Sequence, residues 1–421
     1  MNRGHNNLIA GLDIGSSMVR IAVGHFVAET NDGGMELQIV GAAEVPAEGM
    51  HKGMISNIED VVSSISACLE KAERVIGVPI EKVWLGVSGM HIVSQTSKGV
   101  VAVSRADNEI TRDDVLRATE AARAISAPLN YEVLHVLPKS FNVDGQVGIK
   151  DPVHMTGIRL EVDTQIILGL SSQIKNLTKS VYRSGLDIED VVLSILATAD
   201  SVLTSKQKEL GVAVVNLGGT TTSIAIFEEG NLIYTSILPI GSAHITNDVA
   251  IGLRTLIDIA EKAKIQYGSC LPEMISKKEE VDLYDLGSPT HELIKRQYLG
   301  EIIQARVEEI LAKIDDELKK IQRSGLLPAG VVFTGGGAKL PGLIELAKRN
   351  LRLPAVLGFS LDIMSVTEKV NDLGFSTAIG LVKWGSHNLY RSVMKSPVST
   401  GIKGAGKLWS KVKKGFQSLI P

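Results

Sequence analysis

Cysteine is nearly absent: Cys68 and Cys270 are the only two in 421 residues. They lie far apart, with no His or Cys partner at metal-ligand spacing, so neither a disulfide framework nor a zinc site is encoded, and a reducing cytoplasm fits. Aromatic residues make up only 4% while glycine reaches 41 residues, a balance that favours an aliphatic α/β core over an aromatic-rich β sandwich. Long apolar runs are missing too. The first, LIAGL, is cut short by Asp13, and no segment approaches the roughly 18 uninterrupted apolar residues that a membrane-spanning helix requires. Nor is charge of one sign in excess: Lys+Arg 44 against Asp+Glu 47 leaves a net −3, which argues against a nucleic-acid partner. With 44% hydrophobic and 22% charged residues the chain is not disordered, and its length leaves room for about two to four compact units.

What is present is a series of near-continuous apolar strands, LIAGLDIG, VWLGVSG, TQIILGL, VAVVNLGG and VVFTGGG, of the kind buried on both faces of a parallel or mixed sheet. Two of them open similar hairpins, residues 8–26 and 211–230. Each runs apolar strand, polar Gly/Ser/Thr turn, second strand, which suggests two related domains facing one ligand. Helical spacing predicts helices over 58–77, stopped by Gly77 before Pro79, over TRDDVLRATEAARAI behind a Thr111 cap, and over 292–325, ending at Gly325. Periodicity is lost over 391–401, which reads as a linker.

Three turns carry candidate chemistry. In GLDIGSSMVR, Asp13 ends a buried strand, and the backbone amides of Gly15, Ser16 and Ser17 can wrap a phosphate. An acid beside a phosphate makes sense with a divalent cation between them. Taken alone, such a turn matches an ordinary hairpin more often than a phosphate site. The second turn offers Gly218, Gly219, Thr220 and Thr221 in the same setting, and one ligand held between two such turns is a rarer coincidence. The third, Gly335, Gly336 and Gly337, follows an apolar strand; it is either a plain strand-to-helix turn or a surface on which a flat base or ribose lies against backbone. Glu261 and Lys264 share one helical face, as a surface ion pair or as contacts to ribose and base.

The order D-x-G-S…R, L-G-G-T-T, A-E-x-x-K, T-G-G-G resembles the actin, Hsp70 and sugar-kinase superfamily. Within it the chain is similar to the bacterial FtsA family over nearly its whole length, through VPAEGMHKGMISN, VLHVLPKSFNVDGQVGIKDPVHMTGIRLEV, SVLTSKQKELGVAVVNLGG and STAIGLVKWG. That resemblance implies an actin-like α/β fold. A first domain would span 1–83 and 163–205, a family-specific inserted subdomain 84–162, and a second domain 206–390 with a smaller subdomain at 250–325. It further implies ATP with Mg²⁺: Asp13 (also the metal ligand), Gly15, Ser16 and Ser17 at one phosphate turn, Asn216, Gly218, Gly219, Thr220 and Thr221 at the other, Glu261 and Lys264 at ribose and adenine, and Gly335 to Gly337 at the adenosine. Expected partners are the C-terminal tail of FtsZ, with Arg296 and Arg306 as candidates for its acidic groups, other copies of the chain in a filament, and further division proteins. The place expected is the cytoplasmic face of the cell membrane at the division site.

One departure stands out. The superfamily usually begins the second turn with Asp and carries another acid soon after, where this chain has Asn216 and Ser223. Without those carboxylates Mg²⁺ and the attacking water are less well organised, so weak ATP turnover at most is expected and no catalytic residue is assigned. Beyond the linker, residues 402–421 place Leu408, Trp409, Val412, Phe416 and Leu419 on one side of a helix, with Lys407 and Lys411 opposite. That is an amphipathic helix suited to an anionic membrane surface, and the FtsA resemblance implies the same. The rival readings are a PilM-like pilus-assembly adaptor, against which the tail counts, and a sugar or acetate kinase, against which Asn216, Ser223 and the tail count.

Overall fold

The computed structural model describes residues 8–28, 35–105, 107–124 and 128–394. Four of its five apolar runs become the centres of two sheets built on one plan, while TQIILGL, expected in a parallel or mixed sheet, falls in the antiparallel sheet of a third unit. In the first, Leu8–Ile14, Met18–Ala28 and Met35–Pro46 form an antiparallel meander, and Lys82–Val87 and then Asp187–Leu193 add in parallel on the other side of Leu8–Ile14. In the second, Val212–Leu217, Thr222–Glu228 and Asn231–Leu238 form the meander, and Val331–Thr334 and Ala355–Leu357 the parallel side. The hairpin repeat legible in the sequence is therefore a duplication of a whole domain. The central strands read as unbroken apolar runs because helices cover both faces of each sheet.

A third unit interrupts the first domain. Ile92–Ala102, Arg159–Leu170, Tyr131–Val143 and Gln146–Ile149 form a four-stranded antiparallel sheet, and the helix Arg112–Ala124 lies on it around Val115, Ala118, Phe141, Leu160 and Val162. The helix comes so close that a Cβ on Gly99 would meet the Ala118 carbonyl oxygen at 1.8 Å. The boundary expected at 162 falls within Arg159–Leu170, because the apolar end of that strand continues to Ile167 in the core shared with the actin-like domains. At the other boundary, Lys82–Val87 pairs with Leu8–Ile14, so residues 84–87 belong to the first sheet.

Helix signals met two outcomes. The helix Ile58–Ile76 ends at Gly77, whose φ of 75° needs no Cβ. The helix expected over 292–325 occupies Arg296–Lys320. Leu293–Lys295 instead pairs with Glu280–Asp282 as a short strand, and Gln322, at φ 58°, turns the chain before Gly325. The helix Ser376–Met394 packs along Leu8–Ile14 so closely that a Cβ on Gly11 would meet the Ala378 oxygen at 2.3 Å. It runs past the expected end of the body near 390. The membrane-facing candidates Lys407, Leu408, Trp409, Lys411, Val412, Phe416 and Leu419 lie outside the described residues, and among the described residues no helix is long and apolar enough to cross a membrane.

Candidate functional site

Both hairpin turns close in the same way: Gly15 N donates to Met18 O over 3.0 Å, and Gly218 N to Thr221 O over 3.0 Å. The two turns touch, since a Cβ on Gly219 would stand 1.9 Å from Ser17 Oγ. Around them opens a cavity of about 450 Å³, at the carboxyl ends of Leu8–Ile14 and Val212–Leu217, where ligands of open α/β sheets sit. Beneath the second turn, Ser242 N and Ala243 N of the helix Ser242–Leu253 donate to Gly218 O (2.9 Å) and Gly219 O (2.8 Å). That locks the turn to a helix N-terminus.

The third loop forms the opposite wall. Gly335, at φ 89°, faces Asn216 Oδ1, and Gly337 faces Leu217. A Cβ on Gly336 would meet nothing within 4 Å, so this glycine presents open backbone to the cavity. On the helix Ile257–Tyr267, Lys264 is buried, with Nζ 2.6 Å from Glu261 Oε2 and 2.8 Å from Thr246 Oγ1. The expected ion pair exists, but its lysine is inside and both side chains line the cavity.

Asp13 lines the cavity as well. Burial pushes its carboxyl up to about 6, against the pull of the Arg20 guanidinium. A divalent cation would reverse that shift, because an ion beside the carboxylate replaces the water it has lost. Among the described residues no group of three or more His, Cys, Asp or Glu could hold a metal by itself, so a cation here needs oxygens from the ligand. Among the described residues the hydroxyl of Ser194, on the cavity wall, is buried without a hydrogen-bond partner, which is the state of a polar site whose partner is a small molecule. Asp13, open backbone at Gly336 and the unsatisfied Ser194 hydroxyl together fit Mg²⁺ with a phosphorylated ligand.

Of the residues singled out from the sequence at the three turns and the Glu261 helix, all but Thr220 line this cavity; Arg296 and Arg306 do not. Both arginines sit on Arg296–Lys320 and are engaged by the protein's own acids. Arg296 holds Glu279 at 2.5 Å and donates to Tyr267 O; Arg306 holds Asp248 and Glu309. Sequence reasoning missed Ser88, Ser194, Arg20, Gly53 and Thr377, which also line the cavity. Ser88 directly follows the apolar strand Lys82–Val87, so a polar residue at its carboxyl end was the available signal, whereas Ser194 follows Asp187–Leu193, whose three acids hide a parallel strand.

Comparison with known proteins gives a consistent result. Residues 213–380 match the family profile of the cell division protein FtsA, and residues 89–168 match the SHS2 domain inserted in FtsA. The cell division protein FtsA of Pseudomonas aeruginosa is 37% identical over 90% of this chain and 89% of its own. That of Bacillus subtilis is 38% identical over 91% and 84%, and that of Escherichia coli K12 33% over 90% and 91%. Among solved structures, the PilM-PilN type IV pilus biogenesis complex superposes with a TM-score of 0.64 at 15% identity, over 90% of this chain and 98% of that one. MreB5 of Spiroplasma citri bound to ADP gives 0.53 at 11%, over 93% and 99%. At such identities these two likenesses speak for the actin-like fold alone.

Proposed function

Since the chain belongs to the FtsA family of cell-division proteins, we propose that it binds Mg·ATP in this cavity and works as a nucleotide-dependent tether at the division site. The observation that carries the nucleotide reading is the contact of two equivalent turns, at Ser17 and Gly219, beside Asp13 and the open backbone of Gly336. Asp13 would hold the cation, the turn amides the phosphates, and Glu261, Lys264 and Gly335 to Gly337 the nucleoside. With Asn216 and Ser223 in place of acids, the bound ATP is held far longer than it is turned over.

The same reading has copies of the protein assembling into filaments on the cytoplasmic face of the cell membrane, anchored by residues 402–421. There they hold the tail of FtsZ, through Arg296 and Arg306, and recruit further division proteins. Because both arginines are already paired, an acidic tail binds by exchanging with Glu279 and Asp248. Calorimetry with Mg·ATP tests the cavity, and electron microscopy on anionic lipid monolayers with ATP tests the rest. Micromolar binding and membrane-bound filaments are expected; no heat of binding, or bare monolayers, would overturn the respective half.

A further inference from the structure

The segment VPAEGMHKGMISN has no part in the chemistry above, yet it sits on the first turn. Its hairpin, Met50–His51 paired with Met54–Ile55, directs Gly53 N to Ser16 Oγ over 3.0 Å. Ser16 has no acceptor for its own proton among the described residues, so it can donate to a phosphate oxygen while still holding Gly53. On its far side the hairpin abuts the root of the inserted sheet. A Cβ on Gly53 would come 2.5 Å from Gly89 Cα, one on Gly89 would come 2.5 Å from Gly53 O, and Met90 N lies 3.5 Å from Lys52 O.

The root is held from the second domain as well. Ser88 Oγ lies 3.2 Å from Ser223 Oγ, on the strand that leaves the second turn. His91, buried at the root, has no hydrogen-bond partner for either ring nitrogen among the described residues. Farther out, Lys150 of the insert reaches Glu209 of the second domain over 2.8 Å. Both turns of the cavity therefore touch the base of the insert, one through Gly53 and one through Ser88.

We propose that the hairpin 50–55 and the root 88–91 form a transmission element that sets the angle of the inserted sheet on the body according to what the cavity holds. This rests on the reading that the cavity takes a nucleotide. The chemistry is general: a phosphate that draws Ser16 toward itself, or moves the two turns relative to each other, displaces Gly53 or Ser88, and close backbone packing at Gly53 and Gly89 passes the shift on as a rigid step.

Double electron–electron resonance on the full chain tests it. Nitroxides go on exposed cysteines introduced by Val75→Cys on the first domain and Val147→Cys at the insert tip; the native Cys68 and Cys270 are buried and stay unlabelled. Spin-diluted protein is measured alone and with saturating Mg·AMPPNP, with binding followed by calorimetry on the same samples. A distance distribution displaced by nucleotide is expected, and Gly89→Ala, which jams the junction, should abolish the displacement while nucleotide still binds. Superimposable distributions with nucleotide demonstrably bound overturn the transmission element and spare the nucleotide site; failure to bind removes both. Should Gly89→Ala not fold, the comparison in the labelled parent decides alone.

Discussion

Asn216 Nδ2 donates to Thr377 Oγ1 over 3.0 Å, and that same hydroxyl stands 2.9 Å from Thr198 Oγ1. The residue that replaces an expected acid thus joins the second turn to the helix Ser376–Met394, and through Thr198 to the helix Ser194–Val202 of the first domain. Its side-chain oxygen, Oδ1, faces Gly335. Asn216 is therefore part of the hydrogen-bonded link between the two domains under the cavity, in addition to being an uncharged member of its wall.

Asn216→Asp should keep the fold at the cost of one hydrogen bond, because the Thr377 hydroxyl can turn its single proton from Thr198, which itself donates to Ser194 O, to the carboxylate. With a second negative charge near the cation, ATP turnover should rise severalfold. Phosphate release at saturating Mg·ATP measures it, and equal rates in the two proteins would mean that the missing charge is not what slows the reaction.

Asp13 has two opposed effects. Its folded pKa of about 6 lies above its ordinary 3.8, so the folded state holds the proton more tightly. The stability this gives is present below pH 3.8 and is lost as pH rises through 6. At pH 7 the ionised group costs up to about 3 kcal/mol. Asp13→Asn should therefore raise ligand-free stability in urea at pH 7, with the gap closing as pH falls below 6. The same change should weaken Mg·ATP binding, and the parent's affinity should fall about tenfold per pH unit below 6. A parent affinity flat from pH 7.5 to 5 would remove Asp13 from the cation.

The fold was largely legible because its signals are local: apolar runs for buried strands, Gly77 for a helix end, two similar hairpins for a duplication. The turns were legible for the same reason. Ser88 carried a local signal, a polar residue ending an apolar strand, whereas Ser194 and Thr377 reach the cavity only through the register of a strand or helix distant in sequence. The pairing of Arg296 with Glu279 and of Arg306 with Asp248 and Glu309 was equally hidden. Except for Arg306 with Glu309, three residues along one helix, these contacts join different elements and carry no pattern in the sequence.

Neighbouring glycines should separate fold from binding. Gly335 sits at φ 89° with a Cβ position 2.2 Å from Asn216 Oδ1, so Gly335→Ala should cost about 1–3 kcal/mol of stability or more. Gly336 has open space at its Cβ position. Gly336→Ala should unfold at the parent's urea midpoint yet bind Mg·ATP more weakly, because the methyl occupies cavity space. The reverse pattern would place the ligand elsewhere.

If Arg306 meets the acidic tail of FtsZ, Asp248 is its competitor, since the two form a partly exposed pair. Asp248→Asn should leave Glu309 as the guanidinium's remaining carboxylate partner and tighten binding of the tail peptide severalfold, whereas Arg306→Ala should weaken it. Fluorescence anisotropy at two salt concentrations reads both. Peptide affinity indifferent to both changes would exclude Arg306 from the contact.

The anchor can be argued from sequence alone, since residues 402–421 lie outside the described residues. On the proposed membrane anchoring, Lys403, Lys407, Lys411, Lys413 and Lys414, at about 1 kcal/mol each near an anionic leaflet, would contribute on the order of 5 kcal/mol before the cost of folding a helix. An isolated segment of this length does not hold a helix in water, so binding and helix formation would be coupled. Trp409→Glu with Phe416→Glu should abolish attachment although every lysine remains, because it places charge in the acyl boundary. Replacing the lysines by Gln should leave weak binding that no longer responds to anionic lipid or salt. Liposome flotation reads both. A chain truncated after Thr400 that floats with anionic liposomes as well as the full-length protein would show that the attachment lies in the body.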